Sequence, residues 1–212
     1  MNIFCFATGP LDTNTYILYS QKTKEAVIID PGFDSFKTLV KEVEKKGLTP
    51  TVIWLTHSHW DHIGNVSIVK EKFNIPVYIH EEDRGNLENP GSDGVPMMFD
   101  PFTGTKPDFI LSDNLPLSAL DDVFTVIHTP GHSPGSCCFY CPQEKLLISG
   151  DTIFKRGMGS ISLATGQPDR MRSSLAKLSL LPPDTVIYPG HGPKTTMKEE
   201  SWLASYSKGI SS

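Results

Sequence analysis

Apolar and polar positions change their rhythm along the chain, and each change predicts an element. Residues 3–7, 15–19 and 26–29 are short apolar or alternating runs parted by turn residues, which predicts an antiparallel meander stopped by Asp30-Pro31-Gly32. Phe36, Leu39, Val40 and Val43 then recur at helical spacing up to Gly47, and residues 51–55 form an apolar run suited to a buried strand. Ile63, Val66, Val69 and Phe73 continue the helical period before a strand at 77–79. Residues 88–109 are rich in Gly, Pro and Asp, a composition that fits either a lid over a binding site or a surface excursion. Further strands are expected near 123–128, 136–141, 145–149 and 185–188, with helices near 168–180 and 197–206. Thr196 and Glu199 have capping-box spacing for the last of these. Strand runs alternating with helices in each half predict two sheets packed face to face with helices outside.

Composition narrows the class. The chain has 212 residues, is 38% hydrophobic and shows no linker, so one domain spanning 1–212 is expected. A net charge of −5 disfavours nucleic acid as a partner, because a phosphate-binding surface needs clustered Lys and Arg. No run approaches the roughly 20 apolar residues of a membrane span, so no membrane partner is expected. Residues 1–7 carry no basic lead and four cysteines are too few for a disulfide scaffold, which makes the cytoplasm the expected location. Cys138 and Cys141, three apart on a strand, should face opposite sides and are read as structural.

Histidine placement carries the chemistry. Five of the seven histidines join two aspartates in one pattern: His57-Ser58-His59-Trp60-Asp61-His62, then Gly131-His132, Gly150-Asp151 and Gly190-His191. Taken singly, each has an ordinary reading: Asp61 as a helix cap, His59 as a loop residue, His191 as a turn residue. Together they do not, because His132, Asp151 and His191 each follow a glycine downstream of a strand-like run, where a rigid sheet presents ligands to a cleft. A catalytic ion takes about three protein ligands and keeps a position for water. Five imidazoles and two carboxylates fill two such shells if one aspartate bridges. His80 has no ligand-like neighbour in sequence and is read as structural, and Thr129-Pro130-Gly131 breaks any helix that would pair His128 with His132, so His128 is read as structural or as supporting a ligand from behind.

With Asp30-Pro31-Gly32 and the surroundings of His132 and His191, this pattern resembles the metallo-β-lactamase fold superfamily over nearly the whole chain. The resemblance implies an α+β fold, an αββα sandwich of two mixed β-sheets flanked by helices. It also implies two divalent metal ions, zinc first and iron or manganese as alternatives. His57, His59 and His132 would hold one, Asp61, His62 and His191 the other, with Asp151 bridging and Asp30 orienting a ligand from behind. Within the superfamily the pattern is most similar to the short members of the glyoxalase II group, the hydroxyacylglutathione hydrolases. That similarity implies a dinuclear metal-dependent hydrolase of a small thioester or ester, with Asp61 relaying a proton. The segment 157–162, Gly-Met-Gly-Ser-Ile-Ser, departs from that group, which has a basic and an aromatic residue there. Other chemistries of the superfamily stay open: a sulfur dioxygenase with one iron on His57, His132 and Asp151, a lactonase or other ester hydrolase sharing all seven ligands, or, least favoured by charge, an RNA-processing protein.

Overall fold

A computed structural model describes residues 1–99, 102–203 and 206. The expected meander is β1 (Asn2–Thr8), β2 (Thr13–Tyr19) and β3 (Glu25–Ile29), each antiparallel to its neighbour. From there the sheet grows in parallel. α1 (Phe36–Lys46) leads to β4 (Thr49–Trp54), α2 (Trp60–Ile63) and α3 (Val66–Phe73) lead to β5 (Val77–His80), and α4 (Glu81–Glu88) precedes β6 (Phe109–Leu111). The six strands lie in sequence order.

The second sheet runs the same way from its other edge. β7 (Pro116–Ala119), β8 (Asp122–His128), β9 (Cys137–Cys141) and β10 (Leu146–Gly150) are antiparallel neighbours. α5 (Pro168–Leu178) then crosses outside, so β11 (Val186–Pro189) lies parallel to β10, with the short β12 (Thr195–Thr196) at the edge.

Alternation along the strands sorts side chains into three cores. Between the sheets, Leu18, Val27 and Trp54 meet Phe124, Val126 and Phe139, and the Trp54 ring centre lies 5.1 Å from each phenylalanine. Outside the first sheet, Leu39 and Val43 of α1 and Val66 and Val69 of α3 cover Ile17, Ile28 and Ile53. Outside the second, Met171, Leu175 and Leu178 of α5 cover Leu147 and Ile187. The order is therefore helix, sheet, sheet, helix. The cysteines divide as their spacing predicts: Cys141 packs between the sheets and Cys138 under α5.

Several local expectations change. The helical period from Ile63 to Phe73 is broken into α2 and α3, because Asn65 bonds the Pro31 carbonyl with its N–H and caps Phe36 N with its side chain at 2.9 Å. α4 occupies sequence without an apolar period, and its first residue follows β5 directly. Thr196 Oγ1 does accept from Glu199 N at 3.3 Å, but residues 197–199 form a turn, helix returns only at 202, 203 and 206, and 204–205 lie outside the described residues. No described helix is long and apolar enough to cross a membrane.

The parallel pairs decide where a site can form. β3, β4, β10 and β11 deliver their carboxyl ends to one rim of the sandwich, the usual place for a ligand crevice in sheets of this kind. Cross-links hold the two rims in register: Asn14 N to Gly190 O at 2.8 Å, Tyr16 Oη to Pro189 O at 2.5 Å, and Cys137 N to Thr56 O at 2.7 Å.

Candidate metal centre

The loop leaving β4 carries His57 and His59, and α2 carries Asp61 and His62. The second sheet supplies His132 beyond β8, Asp151 at the end of β10 and His191 after β11. All except His191 are buried, and His191 is three-quarters covered in its side chain, 24% exposed. Glycine is required where the backbone closes in. A Cβ at Gly190 would overlap Asp151 Oδ1 and the His62 ring, and Gly150 turns at φ +48° against Thr56 to aim Asp151 inward.

The seven side chains meet as two groups joined by one carboxylate. Single ring or carboxylate atoms of His57, His59 and His132 all lie within 4.8 Å of one another, and so do those of Asp61, His62 and His191. Asp151 stands between them: its Oδ2 is 3.3 Å from His132 Nε2 and 3.4 Å from His191 Nε2, and its Oδ1 is 3.4 Å from His62 Nε2. Asp61 Oδ2 lies 3.3 Å from His191 Nε2.

Each imidazole is anchored through one nitrogen. His57 Nδ1 meets Thr56 Oγ1 at 3.0 Å, His59 Nε2 meets Thr165 Oγ1 at 2.9 Å, His62 Nδ1 meets Asp30 Oδ2 at 2.9 Å, His132 Nδ1 meets the Ser160 carbonyl at 2.8 Å and His191 Nδ1 meets the Leu11 carbonyl at 2.9 Å. Thr56 and Thr165 donate their own hydroxyl protons onward, to Asp30 Oδ2 and His132 O, so each accepts the ring N–H of its histidine. The other ring nitrogen of each is thereby the one turned toward the centre to coordinate, the arrangement that outer partners impose on metal-binding histidines. His57 Nε2, His132 Nε2 and Asp151 Oδ1 are buried and make no hydrogen bond, which in a folded interior calls for an ion or water to satisfy them. The residues present thus fit two metal ions.

Asp30 sits behind His62 rather than in the cleft. It occupies the left-handed region at φ 48°, which an aspartate tolerates better than most residues. That turn lets one carboxylate take Thr56 N at 2.8 Å, Thr56 Oγ1 at 2.6 Å and the His62 ring.

The charges balance across the groups. Burial would push the His62 imidazole down, but Asp61, Asp151 and Asp30 outweigh it and raise it well above its ordinary value. His191, opposed by burial and favoured by Asp151 and Asp61, rises to about 9. Burial likewise works against ionised Asp61 and Asp151; the neighbouring imidazoles, His62 first, hold Asp61 at about 2 and Asp151 well below the carboxylate range. His59 falls to about 3 and His57 falls well below its ordinary value, both through burial first and then through neighbouring histidines.

Sequence reasoning did not reach the anchors Thr13, Thr56 and Thr165 or the carbonyls of Leu11 and Ser160, since nothing in a lone threonine or a backbone oxygen marks it. It also missed Asp83 on α4. That buried carboxylate accepts from Ser58 N at 2.8 Å, Ser133 Oγ at 2.8 Å and Gly135 N at 2.6 Å, tying the loop of His57 and His59 to the loop of His132. His80 has the structural role expected of it, although the fold also brings it neighbours distant in sequence: it stacks on His128 at 3.9 Å and 16°, with Glu82 alongside. One ion cannot lie in the planes of two near-parallel stacked rings, so His80 Nδ1, which accepts from Glu82 N at the start of α4, serves as a helix cap.

Sandwich and site together define a metal-dependent hydrolase. The chain belongs to the metallo-β-lactamase superfamily, whose family model matches residues 8–191. It is 36% identical over 205 residues to the probable metallo-hydrolase YqgX of Bacillus subtilis, covering 96% of both chains. It is 29% identical to the hydroxyacylglutathione hydrolase GloC of Haemophilus influenzae, covering 94% of this chain and 95% of that one. Among solved structures it superposes on the B3 metallo-β-lactamase BLEG-1 with a TM-score of 0.88 and 40% identity, covering 95% of this chain and 99% of that one. It superposes on TTHA1623 in a di-iron-bound form with a TM-score of 0.82 and 35% identity, covering 93% and 96%.

Proposed function

We propose that the protein hydrolyses thioesters at a dinuclear metal centre, with His57, His59 and His132 holding one ion, Asp61, His62 and His191 the other, and Asp151 shared. The observation that carries this reading is the anchoring of all five imidazoles by an outer partner, which turns a second nitrogen of each toward one small volume. Bound divalent ions supply an acidified water as nucleophile and a Lewis acid for the acyl oxygen. The protein's own groups do the rest. Thr13 donates to Asp61 Oδ2 at 2.6 Å, so the Asp61 carboxylate is fixed and anionic and carries a proton only in passing.

The leaving group follows from what the cleft lacks. No lysine, tyrosine or cysteine lines it among the described residues, and every histidine is engaged, so no strong general acid stands ready. A thiol, with a pKa of roughly 8.5, departs as thiolate without one. The hydroxyacylglutathione hydrolase relative is consistent with this choice of bond.

The test is metal analysis of the purified protein beside thiol release from a panel of thioesters, with a lactone and a β-lactam included because of the BLEG-1 likeness. Two metal equivalents per chain, with thioesters turned over fastest, is the expected result. A single iron with oxygen uptake, or a β-lactam cleaved faster than every thioester, overturns it. Two bound irons would change the metal and leave the reaction.

A further inference from the structure

Beside the metal ligands the cleft, about 320 Å³ in volume, is walled by Leu11, Trp60, Val95, Pro96, Met98 and Leu163. It sits at the small end of ligand-cleft sizes. These residues come from four parts of the chain, and an aromatic group ties two of them, Trp60 and the segment from Val95, together. Phe99 stacks on Phe33 at 4.5 Å and 3°, and the Trp60 ring stands edge-on to both, at 6.5 Å from Phe33 and 6.2 Å from Phe99. The segment with Val95 and Met98 is therefore pinned beside the site. Met98 is 62% and Leu11 45% exposed, and both line the cleft beside the metal ligands, where an apolar occupant would cover them.

Charge on the same walls points the same way. Among the described residues no lysine or arginine lines this cleft. Past Thr165, which bonds His59, the neighbouring cavity carries Glu82, Asp83 and Asp93 and again no basic side chain. Asp93 also accepts Val95 N at 3.0 Å, so the acidic cavity and the apolar wall share a backbone. Arg170 nearby is already engaged by Gln167 and Glu82. Positive charge from bound ions would be confined to the floor, where Asp61 and Asp151 partly offset it.

We infer that the cleft selects uncharged, apolar thioesters and discriminates against anionic thiol conjugates, of which glutathione is the model. This rests on the thioesterase reading for the reaction but on the walls for the choice. An apolar acyl chain replaces water on Leu11, Met98 and Leu163, while the two carboxylates of a glutathionyl group meet no cation and an acidic flank.

Two measurements separate the inference from the reaction. Binding is followed on the metal-loaded protein by tryptophan fluorescence, since Trp60 lines the wall, using the non-hydrolysable thioethers S-hexyl-N-acetylcysteamine and S-hexylglutathione at low ionic strength. The neutral thioether should bind at least as tightly; tenfold tighter binding of the glutathione compound overturns the inference whatever the hydrolysis assay shows. Turnover is compared for acetyl and hexanoyl thioesters of N-acetylcysteamine. About fourfold per buried methylene, kcat/KM should rise at least about tenfold with the longer chain. A flat series overturns the apolar wall as the determinant. If neutral thioethers bind as stated and no thioester is cleaved, the reaction falls and the cleft's selectivity stands. Met98→Lys, at an exposed rim position, should shift the binding ratio several-fold toward S-hexylglutathione with metal content unchanged; an unmoved ratio counts against the charge argument.

Discussion

His59 shows how much one residue here depends on a second. Its Nε2 is fixed by Thr165, whose hydroxyl is itself committed to the His132 carbonyl, so one threonine sets the orientation of two ligands. His59→Ala should abolish thioester hydrolysis and one metal equivalent while circular dichroism keeps the same fold; retained turnover would sink the scheme. Thr165→Val keeps every ligand and removes only the anchor. Outer partners of this kind are worth roughly 10- to 100-fold in metal affinity, so competition with a chelating dye should show a loss in that range. Protonation gives a third test at this scale. In the metal-free protein at neutral pH, His62 and His191 carry protons and His57 and His59 do not. His191 titrates at about 9 in the folded state, above its ordinary 6.5, so its proton stabilises the metal-free fold fully below that ordinary value and ceases to do so as pH rises through 9. His59, depressed to about 3, acts in the opposite sense: its contribution is whole above 6.5 and is lost as pH falls toward 3. Metal entry at pH 7.5 must displace the protons on His62 and His191, so calorimetry in buffers of different ionisation enthalpy should find roughly two protons released, and affinity climbing until about pH 9. Zero release would mean that the carboxylates do not charge these rings.

At the scale of elements, α4 is the instructive one. Its sequence, EEDRGNLE, offers a single apolar residue to the core, Leu87, so no hydrophobic period announces it. What holds it is polar and tertiary: Asp83 as described, and Asn86, whose side chain donates to Ser58 O at 2.5 Å and accepts from Gly91 N at 2.8 Å. By contrast α1 was legible from both ends of its pattern, with Leu39 and Val43 facing the sheet and Gly47 ending it in the left-handed conformation. β6 and β7 are too short, at 3 and 4 residues, to show an alternation. Asp83→Ala should expose what α4 is for. It strands the buried N–H groups of Ser58 and Gly135, at about 1–3 kcal/mol for each unsatisfied group. Chemical denaturation of the metal-free variant should lose about 2–6 kcal/mol, with weaker metal binding, whereas an unchanged midpoint would show that the two loops hold themselves.

Across the whole molecule, the converging histidines and aspartates were legible because metal chemistry restricts residue type and the strand ends carry glycine signatures; the cleft walls were not, because Leu11, Trp60, Met98 and Leu163 meet only in the fold and any apolar residue would serve. The same geometry makes metal a structural partner of the sandwich. The first sheet and its helix give His57, His59, Asp61 and His62, the second gives His132, Asp151 and His191, and each trio of donors draws on both. Without ions, three buried donor atoms stand unsatisfied at the join between the sheets. Ligand present at about a thousand times its dissociation constant stabilises a fold by about 4 kcal/mol. For a domain of this size each kcal/mol moves Tm by about 2–4 °C. Chelation should therefore lower Tm by about 8–16 °C for each ion removed, and titrating metal back should restore it in two steps if the trios differ in affinity. His132→Ala and His191→Ala should each abolish one step only. A Tm indifferent to chelator would mean that the sandwich is closed without ions, the apolar core between the sheets and the bonds of Asn14, Tyr16 and Cys137 sufficing to keep the two rims together.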